Sequence, residues 1–167
     1  ADGLDALVLH RCTGFEPPPG LAVLVCHDAF DERLGLAGNR WLHAELGLEG
    51  MRPLAPKAIL ADAPADLRER VAATFGGEEA FHQGAGAPVR RAVLADAMTE
   101  ELVHAAAAAG AELYVTGTWR VPAGGAVTDA ALAVQIVGHR RQERWSLRLL
   151  ARLLAERLPG VGVVPFA

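Results

Sequence analysis

Three of the six histidines, His10, His27 and His139, stand at the ends of short apolar runs. Two of them are followed four residues later by a carboxylate. Leu21-Ala-Val-Leu-Val-Cys-His27 leads to Asp31, and Leu132-Ala-Val-Gln-Ile-Val-Gly-His139 leads to Glu143. Neutral imidazole together with ionised carboxylate suits Zn, Fe, Mn or Co, whereas Ca and Mg prefer all-oxygen shells. The candidate ligand set is therefore His10, His27, Asp31, His139 and Glu143. A histidine at a strand end also commonly caps backbone carbonyls, so one such pair carries little weight. The repetition of the pattern is what favours ligation.

Cys12 and Cys26 flank these histidines; Cys26 reads as a small core residue, while Cys12 is open between that role and a thiolate ligand. His43 and His104 fall inside helical patterns and read as packing or surface residues. His82 lies in a glycine-rich stretch and reads as solvated. No glycine-rich phosphate loop follows a strand, and no Ser or Cys occupies a nucleophile elbow.

The elements that must position these residues alternate between strand and helix patterns. Strands are expected over residues 6–9, 21–26, 88–96, 113–116, 133–137 and 161–166, with an extended stretch over 53–60. Helices are expected over residues 40–46 behind an Asn39 cap and through Leu67, Val71 and Phe75. Two more are expected, from Thr99 to Gly110 and over 146–158 with Leu147, Leu150, Leu154 and Leu158 on one stripe. Residues 27–38, 78–88 and 118–128 read as loops. Alternation of this kind is the α/β class with parallel or mixed sheets.

The chain also contains an internal repeat. Gly3 to Gly14, a loop, and Leu21 to Asp31 form one copy; Gly110 to Gly117, a loop, and Leu132 to Glu143 form the other. Two such strand–loop–strand units predict two facing lobes related by a pseudo-twofold, residues 1–87 and 88–167, within a single 167-residue unit.

Composition narrows the function classes. The net charge of −4 and the absence of a basic cluster longer than Arg140-Arg141 argue against binding of duplex nucleic acid. No apolar stretch reaches membrane-spanning length. Two cysteines are too few for a disulfide framework, so a cytoplasmic, reducing setting is expected.

At these same residues the chain resembles the NIF-three-like family of dinuclear-metal-centre hexameric proteins, also described as GTP cyclohydrolase I type 2 homologues. The family's His-His-Pro motif is matched by Leu-Val-Leu-His10-Arg11-Cys12, and its His-Thr-Asn-x-Asp motif by His27-Asp-Ala-Phe-Asp31. Glu45-Leu-Gly-Leu48 matches a Leu-Gly-Leu helix end. Gly110-Ala-Glu-Leu-Tyr-Val-Thr-Gly117 and Gly138-His139-Arg-Arg-Gln-Glu143 match the third and fourth motifs, in the family's order. The resemblance implies metal ligation by His10, Asp31, His139 and Glu143. It also implies two α/β lobes and a homo-oligomer, a toroidal hexamer with metals lining its cavity.

Arg11 stands where the family has its second histidine. A guanidinium cannot ligate a metal and stays charged. Two ions, one ion, or none with Arg11 paired to Asp31 or Glu143 are all consistent with the motif. The family also carries a helix and strands before its first motif, so the first lobe is expected to be incomplete at its N-terminus. The function expected first is a metal-dependent hydrolase acting on a small nucleotide or phosphorylated substrate, a choice the resemblance itself does not decide. A carboxylate or His27 would serve as general base, and Arg11, Arg140 or Arg141 would bind an anionic group. The alternative is a non-catalytic metal-binding or degenerate oligomeric scaffold.

Overall fold

The first apolar run, β1 (Ala6–Leu9), pairs in parallel with β2 (Ala22–Val25) as a two-stranded sheet. The computed structural model in which this is seen describes residues 3–165. Helices α1 (His27–Leu34) and α2 (Arg40–Leu46) follow, then a hairpin of β3 (Glu49–Ala55) and β4 (Ala58–Asp62), helix α3 (Leu67–Phe75) and strand β5 (Ala80–His82). The second half runs β6 (Arg91–Ala95), α4 (Glu100–Ala108), β7 (Leu113–Thr116), a 3-10 turn (Val121–Ala123), α5 (Gly124–Ala130), β8 (Ala133–Ile136) and α6 (His139–Arg157).

Six strands form the larger sheet in the order β3-β4-β6-β7-β8-β5. Its centre, β6-β7-β8, is parallel, and β4, β3 and β5 add to it antiparallel, so the α/β sheet is mixed. The central strands are buried on both faces, and their side chains divide by the two-residue period. Val93, Ala95 and Tyr114 meet Val103 and Ala106 of α4 and Val127 of α5. Ala92, Leu94, Leu113 and Val115 meet Leu42 and Leu46 of α2 and Leu67, Val71 and Phe75 of α3. The expected α3 stripe and the Asn39 and Thr99 caps form as the sequence indicates; Asn39 accepts from the Leu42 amide and Thr99 from the Leu102 amide. Strands from both sides of position 87/88 share this sheet, because β4 pairs with β6 through five residue pairs. β1 and β2 form the smaller sheet and β3 to β8 the larger.

Several expectations change. Residues 27–38 hold helix α1, whose Phe30 and Leu34, four residues apart, are buried beneath an otherwise charged surface. Within the expected 118–128 loop, α5 starts at Gly124 and is held by burial of Ala126 and Val127, a packing gain that outweighs the poor helix propensity of its glycines. The expected 78–88 loop contains β5, an edge strand on β8, and its His82 is stacked on Trp119 with ring centroids 3.9 Å apart rather than solvated. The 53–60 stretch is a hairpin beginning at Glu49 and turning at Lys57, whose φ is +57°. Helix α6 begins at His139, not residue 146, and buries Ser146 and Leu149; of the expected stripe, Leu147 and Leu150 are partly buried against Phe30, Leu34 and Leu149, while Leu158 lies past the helix and is exposed. Its rotation is set by the Ser146 hydroxyl, which donates to the Leu34 carbonyl at 2.6 Å. Residues 161–165 form no strand, and Phe166 lies outside the described residues. Among the described residues no helix is long and apolar enough to cross a membrane.

Candidate metal centre

Each histidine singled out by the sequence follows a parallel strand. His10 comes directly after β1, His27 opens α1 after β2, and His139 opens α6 after β8. The carboxyl ends of parallel strands are where α/β folds gather ligand-binding groups. One turn into each helix, Asp31 and Glu143 lie on the same face as the histidine that opens it, as a four-residue separation requires. Two glycines let α6 come in close. Gly138 takes φ +92° against Glu79 and Arg141, and a Cβ on Gly117 would run into the Gln142 amide oxygen.

The side chains converge on His10. Its Nε2 lies 2.9 Å from Asp31 Oδ1 and its Nδ1 2.7 Å from Glu143 Oε1. One imidazole thus links the two copies of the repeat. His10 is only 8% exposed, with Asp31 and Glu143 at 26% and 28%. Its ring packs on Phe30 at 4.7 Å and on the His27 ring at 4.9 Å. His27 Nε2 lies 3.7 Å from Asp31 Oδ2 and is buried without a hydrogen-bond partner. His10, His27 and Asp31 each offer a ligand atom, and these atoms all fall within 4.8 Å of one another. His139 and Glu143 stand outside that group. His139 is 59% exposed and reaches Glu143 Oε1 at 3.1 Å.

The residues present fit a metal ion by one observation. A buried imidazole nitrogen with no partner is costly, and His27 Nε2 is such an atom beside a carboxylate and a second imidazole. The pairing of His10 Nδ1 with Glu143 is also the arrangement by which a carboxylate orients a ligating histidine.

Two residues that sequence reasoning passed over support the site. Lys57, at the tip of the β3–β4 hairpin, places its ammonium 3.6 Å from Asp31 Oδ2. Asp96, just past β6, accepts from the Leu36 amide at 2.6 Å and from Gln142 Nε2 at 3.0 Å, so it ties the end of α1 to the first turn of α6. Burial pushes the Asp96 carboxyl above the usual carboxylate range, against the amide hydrogen bonds that pull it down. A Pro-Lys turn between extended stretches was the available signal for Lys57; Asp96 carried none beyond ending an apolar run.

The other candidates lie apart. Arg11 is exposed and forms no ion pair among the described residues, so the anticipated pairing with Asp31 or Glu143 is not made. His10 turns inward at the end of β1 and the next side chain turns out, while Asp31 is already shared by His10, His27 and Lys57. Cys12 and Arg140 are exposed, and both cysteines are free thiols. Cys26 packs next to Phe30 and burial raises its thiol pKa. His43 is buried on the Leu36 carbonyl at 2.8 Å, and burial lowers its pKa.

Solved structures share this fold. The chain is similar to protein ybgI, described as of unknown function, with 21% identity and a TM-score of 0.73 over 92% of this chain and 72% of that one. Reduced HcgD from Methanocaldococcus jannaschii gives 15% identity and a TM-score of 0.73 over 94% and 72%. TTHA1606 from Thermus thermophilus gives 22% identity and 0.72 over 98% and 74%. No curated protein matches the sequence. The sequence model of the family described as Duf34/NIF3 (NGG1p interacting factor 3) matches residues 19–166, covering α1, α6 and every strand from β2 onward. The chain belongs to the Duf34/NIF3 family.

Proposed function

We propose that the protein holds one divalent transition ion, Zn, Fe, Mn or Co, through His10, His27 and Asp31. It then acts as a metal-dependent hydrolase on a small nucleotide or phosphorylated substrate. The observation that carries this reading is the buried, unpartnered Nε2 of His27, set beside Asp31 and His10. When bound, such an ion supplies Lewis acidity and makes a nearby water acidic at neutral pH. Glu143 orients His10 through Nδ1. Lys57 places a positive charge beside Asp31, where a cavity of about 170 Å³ opens with Asp31, Lys57 and Asp96 in its wall. An ammonium in that position suits an anionic oxygen of a phosphoryl group. The sequence motifs would add His139 and Glu143 to the ligand set, and Glu143 would then bind an ion directly instead of orienting His10.

A non-catalytic scaffold is the second reading. It is favoured by His10, both of whose nitrogens find carboxylate partners with no ion required. The assembly proposed is a homohexamer and the compartment the reducing cytoplasm, in keeping with two free thiols.

Elemental analysis of protein purified without chelator, alongside the Arg11→His variant, tests the reading. About one equivalent of metal in the native chain is expected, rising in the variant if a second ion then binds. No metal after loading would sink the metal-site reading altogether. A screen of nucleotides and phosphomonoesters with and without added metal separates hydrolase from scaffold, and sedimentation velocity tests the hexamer.

A further inference from the structure

A second concavity is lined by Phe30, whose ring also packs on His10. It has a volume of about 460 Å³ and sits between α1, α2 and the C-terminal half of α6. Its floor is apolar: Phe30 and Leu34, each 5% exposed, with Leu150 and Leu153. Arg33, Arg40 and Arg157 line it, and no Asp or Glu does. None of the three arginines forms an ion pair among the described residues. Most arginines of the chain share this, only Arg68 and Arg70 being ion-paired among the described residues, so what marks the groove is the clustering of three arginines at one apolar slot.

Local helix electrostatics accounts for only part of this. Arg33 and Arg157 lie in the last turns of α1 and α6, where cations complement the helix dipole. Arg40 is the first residue of α2, the end at which a cation is disfavoured. It is held there by stacking over the Trp41 ring, 4.4 Å from the centroid, and Trp41 also lines the groove. Arginines from three helices therefore line one apolar slot.

We infer that this groove binds an amphipathic anion: a single aliphatic chain laid on Phe30, Leu34, Leu150 and Leu153, with a carboxylate or phosphate head held by Arg33, Arg40 and Arg157. The volume falls in the range of small-molecule sites, about 300–1,000 Å³, which are mostly apolar with a few placed polar groups. Guanidinium is the side chain best matched to a bidentate oxyanion. The groove is separate from the proposed metal ligands but shares Phe30 with the His10 environment.

Isothermal titration of the full chain with dodecanoate, dodecyl phosphate, dodecanol and dodecyltrimethylammonium, each below its micellar concentration, tests this. Saturable binding of one anion per chain is expected, with the cation and the alcohol at least tenfold weaker. Comparing the two anions distinguishes a carboxylate from a phosphate head. The Arg33→Ala/Arg157→Ala double variant should lose at least tenfold for both anions while its metal content is unchanged. Leu153→Gln should weaken all chain binding. The inference is overturned if the alcohol binds as tightly as the anions, or if the double variant binds normally. It is also overturned if anionic vesicles are bound but monomeric dodecanoate is not. The same holds if dodecanoate fails to bind and Leu153→Glu dissociates an oligomer, because the groove would then belong to a second copy of the chain.

Discussion

Replacing Glu143 by Gln separates the two roles a carboxylate can play in this site. In the folded chain Glu143 Oε1 faces His10 Nδ1 at 2.7 Å and His139 Nε2 at 3.1 Å. Glutamine keeps the shape and one acceptor oxygen but removes the charge. If Glu143 orients His10 rather than binding the ion, its loss weakens metal affinity about 10–100-fold, or about 1.4–2.8 kcal/mol. The number of ions bound would not change. His27→Ala removes a ligand outright and should abolish saturable binding. His139→Ala, at a side chain 59% exposed, should cost less than Glu143→Gln. Competition titration of Zn²⁺ against a chromophoric chelator gives the affinities, and the visible spectrum of the Co²⁺ form reports the ligand set. Glu143→Gln should leave that spectrum intact. If Glu143→Gln abolishes binding as completely as His27→Ala, or alters the Co²⁺ bands in the same way, the assignment of Glu143 as an orienting group is wrong.

Three further expectations follow from the geometry. Tyr114→Phe removes a buried hydroxyl that donates to the Ala97 carbonyl at 2.6 Å; a loss of about 1–2 kcal/mol is expected, read as a fall of about 2–4 °C in Tm per kcal/mol, and an unchanged Tm would refute it. Asp96 has its carboxyl pKa raised in the folded chain, mainly by burial. The native state then binds more protons than the unfolded state just above the ordinary carboxyl range, so stability falls as pH rises through that window. Asp96→Asn keeps an acceptor for the Leu36 amide and Gln142, and should be progressively more stable than the native chain as pH rises across it; urea unfolding showing a pH-independent difference would contradict this. Arg11→Ala should change stability by less than about 0.5 kcal/mol and leave metal stoichiometry alone, since Arg11 is exposed with no ion pair among the described residues; a changed metal content in elemental analysis would show that Arg11 reaches the site.

The central sheet and the site's histidines were legible in the sequence because both rest on local pattern. Buried parallel strands read as unbroken apolar runs such as Ala92-Val-Leu-Ala95, and the caps at Asn39 and Thr99 are single-residue signals. What was missed depends on contacts distant in sequence. Helix α1 looks like a charged loop until Phe30 and Leu34 are seen against Leu149, more than a hundred residues away. The register of α6 is fixed by Ser146 meeting the Leu34 carbonyl, which no helical periodicity within α6 could indicate. Lys57 reaches Asp31 only because the hairpin tip folds back over the end of α1.

The repeat itself explains why the site is lopsided. In the first copy β1 pairs with β2 from Ala6 opposite Ala22; in the second β7 pairs with β8 from Leu113 opposite Ala133. Carried along these registers, the position of His10 falls in the second copy on Gly117. That residue has no side chain, and the Gln142 amide fills the space a Cβ would need. The second copy also has one more residue, Gly138, between its strand and its helix, and with the turn it makes at φ +92° the opening histidine is left outward. His27 therefore joins His10 and Asp31, while His139 stays at the surface. Two copies of one phrase thus supply two carboxylates, but both inward imidazoles, His10 and His27, come from the first copy, and that asymmetry is the physical reason to expect a single ion at His10, His27 and Asp31 rather than a symmetric pair.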